Sequence, residues 1–293
     1  MLEQFHRFEV RRGDVRLACA RAGQGEPLLL MHGHPQTMAM WHRVAPQLAQ
    51  HFCVVMMDLR GYGDSSRPEP GEDNVAYSRR EMALDALEVM QSQGFGRFQV
   101  LAHDRGARVA HRLAADHPQR VERLMLLDIA PTLAMYANTS EFFARAYWHW
   151  FFLIQPAPLP ETLIENHPVV YLRSAMGSRY AGLAAFDPAA MAEYERCIKL
   201  PGSARGICSD YRASAGIDLA HDRVDVGAGR RLSQPLRVLW GDHGILGKCF
   251  DVLGLWRERA ADVSGRAVDS GHYLPEEVPQ VVLDEAFGFF RKQ

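Results

Sequence analysis

Residues 100–114 read VLAHDRGARVAHRLA. Val100, Leu101 and Ala102 continue an apolar run from Phe98, and Asp104 stands where that run stops and a helical pattern opens. Ala102, Gly106 and Ala107 surround Asp104 with small residues. A sharp strand-to-helix turn needs small neighbours because two backbones approach closely there, and it lifts the central side chain into a cleft. The spacing therefore reads as an elbow that presents Asp104 as a nucleophile. Aspartate is also favoured at helix N-caps, and taken alone Asp104 suits that role equally. The flanking small residues and the partners found below weigh against it.

Outward from the elbow, short apolar runs alternate with longer amphipathic ones. Pro27 to His32, Phe52 to Asp58, Phe98 to His103, Arg123 to Asp128 and Leu236 to Trp240 read as buried strands, and Arg79 to Gln93 and Arg108 to Asp116 as helices. Fully apolar runs of this length suit a parallel sheet covered on both faces, and the alternation implies right-handed strand–helix–strand units. Regularity breaks after Asp128, and the next strand-like run, LRVLWGD, begins only at Leu236. The intervening stretch opens with EFFARAYWHWFFL at residues 141–153. We read residues 131–229 as a helical cap inserted into a core made of residues 1–130 and 230–293, covering the sheet edge where α/β folds place ligands.

The 293 residues, 47% of them hydrophobic, suffice for one core plus an insertion. A formal charge of −2 creates no field that would attract nucleic acid or an anionic membrane. The first residues, MLEQFHRFEVRRGDVRL, scatter charges where a signal peptide needs an apolar stretch, and no long apolar run follows. A cytoplasmic protein is expected. Cys19, Cys53, Cys197, Cys208 and Cys249 are odd in number, widely spaced and without a CxxC pair, so they read as reduced packing residues.

A carboxylate nucleophile attacks saturated carbon, displaces a leaving group and becomes an alkyl ester. Releasing that ester requires a base near neutral pH to activate water. His272, in VDSGHYLPEEVP before the final helix, is the candidate. Two acids could orient it: Asp128 ends LMLLDIAPT and Asp242 ends VLWGD. Position alone favours Asp242 slightly. The oxyanion of ester hydrolysis needs two backbone N–H donors, for which Arg105, next to the nucleophile, and His34, in the turn MHGHPQT, are expected. Arg105 and Arg108 flank the elbow. Planar guanidiniums bind carboxylates bidentately, so this pair reads as a receptor for a small carboxylate, although two salt-bridging arginines without a ligand are the plainer alternative.

The segments HDRGARVAHR, LDIAPT, AYWHWFFLIQPAP, CSDYRA and SGHY closely resemble the fluoroacetate (haloacetate) dehalogenases of the α/β-hydrolase fold, and the likeness runs from LRGYGDS at 59–65 to the terminal helix. The resemblance implies a mostly parallel sheet flanked by helices with an inserted helical cap, Asp104 as nucleophile, His272 as base, and Asp128 rather than Asp242 as its acid. It further implies Arg105 and Arg108 on the substrate carboxylate, and a halide pocket of His149, Trp150 and Tyr211. Donor groups of those three types can face a departing fluoride. Trp148 reads instead as cap packing. No cofactor or metal is implied, and a homodimer is. Two departures stand out: His34 occupies a position where relatives commonly have phenylalanine, and SAMGSRYAG places Ser178 or Arg179 where many carry a further tryptophan. The expected activity is conversion of a small 2-halo acid to the hydroxy acid; the alternative is an epoxide hydrolase, with Tyr147, Tyr171, Tyr180 or Tyr211 as ring-opening acids.

Overall fold

The computed structural model describes residues 1–291. Eight strands form one sheet: β1 His6–Arg12, β2 Val15–Ala22, β3 Glu26–Met31, β4 Phe52–Met57, β5 Phe98–His103, β6 Val121–Leu127, β7 Leu236–Gly241 and β8 Val263–Val268. Their spatial order is β1-β2-β4-β3-β5-β6-β7-β8. β2 pairs antiparallel with both β1 and β4, and every later pairing is parallel. The uninterrupted apolar strands β4 and β5 are buried along their whole length, as strands with helices on both faces must be.

The register aligns the strand ends that matter. Met31 of β3 pairs with Ala102 of β5, His103 pairs with Leu127 of β6, Leu127 pairs with Leu239 of β7, and Gly241 pairs with Val268 of β8. The segments following β3, β5, β6 and β8 therefore emerge side by side at one edge of the sheet, the edge at which parallel α/β sheets place ligands.

Between β6 and β7 the structure holds only helical segments, from Thr132–Ala137 through Ile217–Gly227. Two of them carry residues singled out above: Trp148–Leu153 and Ser203–Ala215. No helix among the described residues is long and apolar enough to cross a membrane. All five cysteines are free thiols, and only Cys249 is not buried.

Candidate active site

The elbow is built by a close approach of two backbones. Asp104 has φ of 42°, a left-handed conformation that costs a non-glycine residue energy and that surrounding structure must hold in place. What holds it is the turn after β3: the Gly106 N–H donates to the His32 carbonyl at 2.9 Å. A Cβ at Gly106 would lie 2.4 Å from that same oxygen, and one at Gly33 would lie 2.6 Å from the Asp104 Cβ. Neither position tolerates a side chain. The contact puts the His34 N–H 3.1 Å from Asp104 Oδ2, so the expected oxyanion donor already touches the carboxylate.

Beside it, His272 Nδ1 lies 2.5 Å from Asp128 Oδ2, and Asp128 Oδ1 accepts the Gly241 N–H at 3.0 Å. With Nδ1–H given to the carboxylate, Nε2 keeps its lone pair for the cleft. Asp128 also has a positive φ, 52°. Asp242 takes no part: it is exposed, and its N–H merely continues the sheet by donating to Val268 O at 2.8 Å. The chain turns after Gly241, and the carboxylate beside His272 is that of Asp128.

Sequence reasoning missed His103. Fully buried, it donates from Nε2 to the His272 carbonyl at 2.8 Å, with the two rings 4.7 Å apart. Burial is the main reason its pKa falls to about 4, so it is neutral at ordinary pH and fixes the backbone of His272. Burial likewise opposes charge on Asp104, yet the neighbouring imidazoles of His272 and His103 and the Arg108 guanidinium leave its carboxyl below the ordinary range. Asp104 is therefore ionised at neutral pH.

The two arginines of the elbow helix part company. Arg105 is fully buried, and its Nε and Nη2 both donate to Asp210 at 2.9 Å. Its guanidinium lies 4.0 Å from the centre of the Tyr211 ring. Asp210 also accepts from Tyr62 Oη at 2.7 Å and from Arg79 Nη1, which makes it a fixed junction between core and cap. Burial works against the charge on Arg105, and Asp210 more than restores it. Arg108, equally buried, finds only neutral acceptors, the Ala130 carbonyl at 3.2 Å, Thr132 Oγ1 at 2.7 Å and Met135 Sδ at 3.3 Å. It faces the Trp150 ring at 4.7 Å. Burial drives its pKa down, and Asp104 is the chief influence opposing that. The expectation treated the pair as one clamp; in the structure one guanidinium is already saturated by a carboxylate and the other is not. Asp210 lies within the CSDYRA motif, but no local spacing could have linked it to Arg105.

His149, Trp150 and Tyr211 are all buried and adjoining, with the His149 and Trp150 rings 6.0 and 6.4 Å from that of Tyr211. The Tyr211 hydroxyl has no hydrogen-bond partner among the described residues. His34 contributes more than its backbone. Its ring stacks on His149 at 6.2 Å, meets Tyr211 edge-on at 5.3 Å, and its Nε2 lies 2.9 Å from Tyr171 Oη. Burial pushes its pKa down to about 3, so a neutral imidazole stands among these rings. Trp148 packs on Phe152 and Tyr171, with ring centres 5.8 and 6.2 Å away. It is 37% exposed and lines a cavity of about 170 Å³ that reaches Asp128 and His272.

A family model described as the alpha/beta hydrolase fold matches residues 26–175. A fluoroacetate dehalogenase from Burkholderia sp is 42% identical over 280 residues, covering 95% of this chain and 91% of that one. A soluble epoxide hydrolase from Corynebacterium sp is 36% identical over 281 residues, covering 94% and 93%. The crystal structure of a "putative alpha/beta hydrolase" from Nostoc sp superimposes with a TM-score of 0.97 at 51% identity, each chain covered in full. The elbow, the strand order and these matches agree: the chain belongs to the α/β-hydrolase fold family and is a hydrolase.

Proposed function

We propose that the protein hydrolyses small 2-halo acids, such as fluoroacetate or chloroacetate, to glycolate and halide. The observation that carries this reading is Arg108, a buried cation beside the nucleophile with no carboxylate of its own. An unpaired buried charge is costly, and a substrate carboxylate is the natural group to complete it. The halogen-bearing carbon, one bond away, then faces Asp104, in line for attack.

In the first step an Asp104 oxygen forms a bond to that carbon while the carbon–halogen bond breaks and halide leaves with the electron pair. The donors of His149, Trp150 and Tyr211 receive it. In the second, His272 takes a proton from water, the resulting oxygen attacks the Asp104 carbonyl carbon, and the N–H groups of His34 and Arg105 hold the oxyanion; its collapse breaks the ester C–O bond, glycolate leaves with the proton held by His272, and Asp104 returns to a carboxylate with one proton released to solvent. Arg105 orients Tyr211 and the cap through Asp210, and Arg108 holds the substrate.

An epoxide hydrolase uses the same nucleophile and base. The unpartnered Tyr211 hydroxyl and the 36% identity to an epoxide hydrolase favour that second reading, but an epoxide leaves Arg108 without an anion. The deciding experiment measures halide from fluoroacetate and chloroacetate beside diol from a simple epoxide, in the wild type and in Arg108→Met. Halide release that collapses in the variant supports the first reading. Diol formation indifferent to the substitution, without halide, replaces it by the second.

A further inference from the structure

The cavity of about 170 Å³ at the cleft mouth brings together Asp128 and His272 of the core with Tyr147, Trp148 and Arg179 of the cap. Three other basic side chains border it, and their states differ from that of Arg179. Arg145 is paired with Glu141 at 2.8 Å, His243 with Asp269 at 2.6 Å, and His272 with Asp128. Arg179 has no ion pair among the described residues. Its guanidinium rests over the Tyr147 ring at 4.7 Å, and its Nε is buried with no hydrogen-bond partner. The site thus holds two cations lacking anions, Arg108 against Trp150 and Arg179 against Tyr147, with Asp104 within electrostatic reach of both. A monocarboxylate can satisfy only one.

We propose that the preferred substrates are 2-halo dicarboxylates, with Arg108 on the carboxylate beside the halogen-bearing carbon and Arg179 on the distal one, as in 2-chlorosuccinate. This rests on the dehalogenase reading above. The cavity that Arg179 lines, about 170 Å³ and reaching His272 and Asp128, has room for a carboxymethyl arm. Bonds change as for the smaller acid. The C–Cl bond breaks with both electrons going to chloride as the Asp104 ester forms, and one water then hydrolyses the ester to 2-hydroxysuccinate, with a proton released to solvent.

The test compares kcat/KM for 2-chlorosuccinate and for 2-chlorobutanoate, which carries a methyl group in place of the distal carboxylate, in the wild type, Arg179→Met and Arg179→Lys. Calorimetry of 2-hydroxysuccinate and 2-hydroxybutanoate binding to the same three proteins accompanies it. The wild type should favour the diacid. Arg179→Met should lower the diacid-to-monoacid ratio at least tenfold, and Arg179→Lys should restore part of it. An unchanged ratio, or an equal fall for both acids as expected if Arg179 only packs on Tyr147, overturns the proposal. Should no acid release halide, the dehalogenase reading fails, and calorimetry still decides the subsite: 2-hydroxysuccinate affinity that depends on Arg179 retains it, and affinity that does not removes it.

Discussion

His272 Nδ1 stands 2.5 Å from Asp128 Oδ2, while Asp242 at the end of the neighbouring strand is exposed to solvent. His272 therefore takes its orientation from the end of β6, through a carboxylate that the Gly241 amide also anchors. Asp128→Asn removes the charge that stabilises the imidazolium and allows the wrong tautomer, so ester hydrolysis should slow by roughly 10³–10⁴. Halide should still be released in a first burst, and mass analysis of the Asp104 peptide should find the ester accumulating. Asp242→Ala should leave steady-state turnover within a factor of two or so, as surface substitutions generally do. A large loss in Asp242→Ala with none in Asp128→Asn would reverse the assignment.

Arg105 and Arg108 differ in what each has to lose. Arg105→Met leaves Asp210 buried with Arg79 and Tyr62 as its remaining partners, and breaking a buried pair from one side costs about 3–5 kcal/mol. Its main signature should be in urea unfolding. Arg108→Met removes a cation that has no carboxylate partner, so its stability should be near that of the wild type or above it. Its kcat/KM for halo acids should fall roughly 10²-fold or more, the loss typical of an unpaired buried carboxylate contact. Equal unfolding losses in the two variants would mean that Arg108 is as structural as Arg105.

An ester on Asp104 leaves an isotopic record. Hydrolysis by attack at the carbonyl carbon transfers a solvent oxygen into the aspartate side chain, so one turnover in water enriched in the heavy oxygen isotope should label the peptide spanning Asp104, and further turnovers should label its second oxygen. Label found only in the hydroxy acid would mean that water attacked the substrate directly, with Asp104 as a base.

The parts of this site that lie on one element were legible from residue order. The small residues around Asp104 announced the elbow, and the apolar runs announced β3 to β7, because a strand buried on both faces leaves an unbroken hydrophobic signature. β1 and β2 left none. HRFEVRR at the sheet edge is mostly exposed, so its alternation is diluted by charge. The choice between Asp128 and Asp242 depended on which way the chain turns after a strand, which no periodicity encodes. Asp210, Arg79 and Tyr62 converge on Arg105 from segments far apart in the chain, and His103 supports His272 across 169 positions. Such contacts exist only once the fold has formed. His34 shows the same limit on a smaller scale: its backbone role follows from the turn, while its ring meets His149, Tyr171 and Tyr211 from the distant cap.

The loop carrying His272 ends in a buried acid whose ionisation should be visible in stability. Glu276 is fully buried, and its Oε1 accepts from Gln36 Nε2 at 2.8 Å and from the hydroxyl of Tyr194 on the cap helix Pro188–Ile198. Its Oε2 has no partner. Burial raises its pKa to about 7, against the smaller opposing effect of the Tyr194 and Gln36 hydrogen bonds. Because the folded value lies above the ordinary value of 4.5, the native state binds the extra proton between those limits. The resulting stability is complete below pH 4.5 and is lost as pH rises through about 7. Glu276→Gln mimics the neutral acid and cannot ionise. Urea unfolding should therefore give similar stabilities for the two proteins near pH 5. By pH 8 the wild type should have lost on the order of 2–3 kcal/mol relative to the variant. Parallel pH profiles would show that Glu276 is already charged in the folded protein at pH 5, with its Tyr194 and Gln36 contacts outweighing burial.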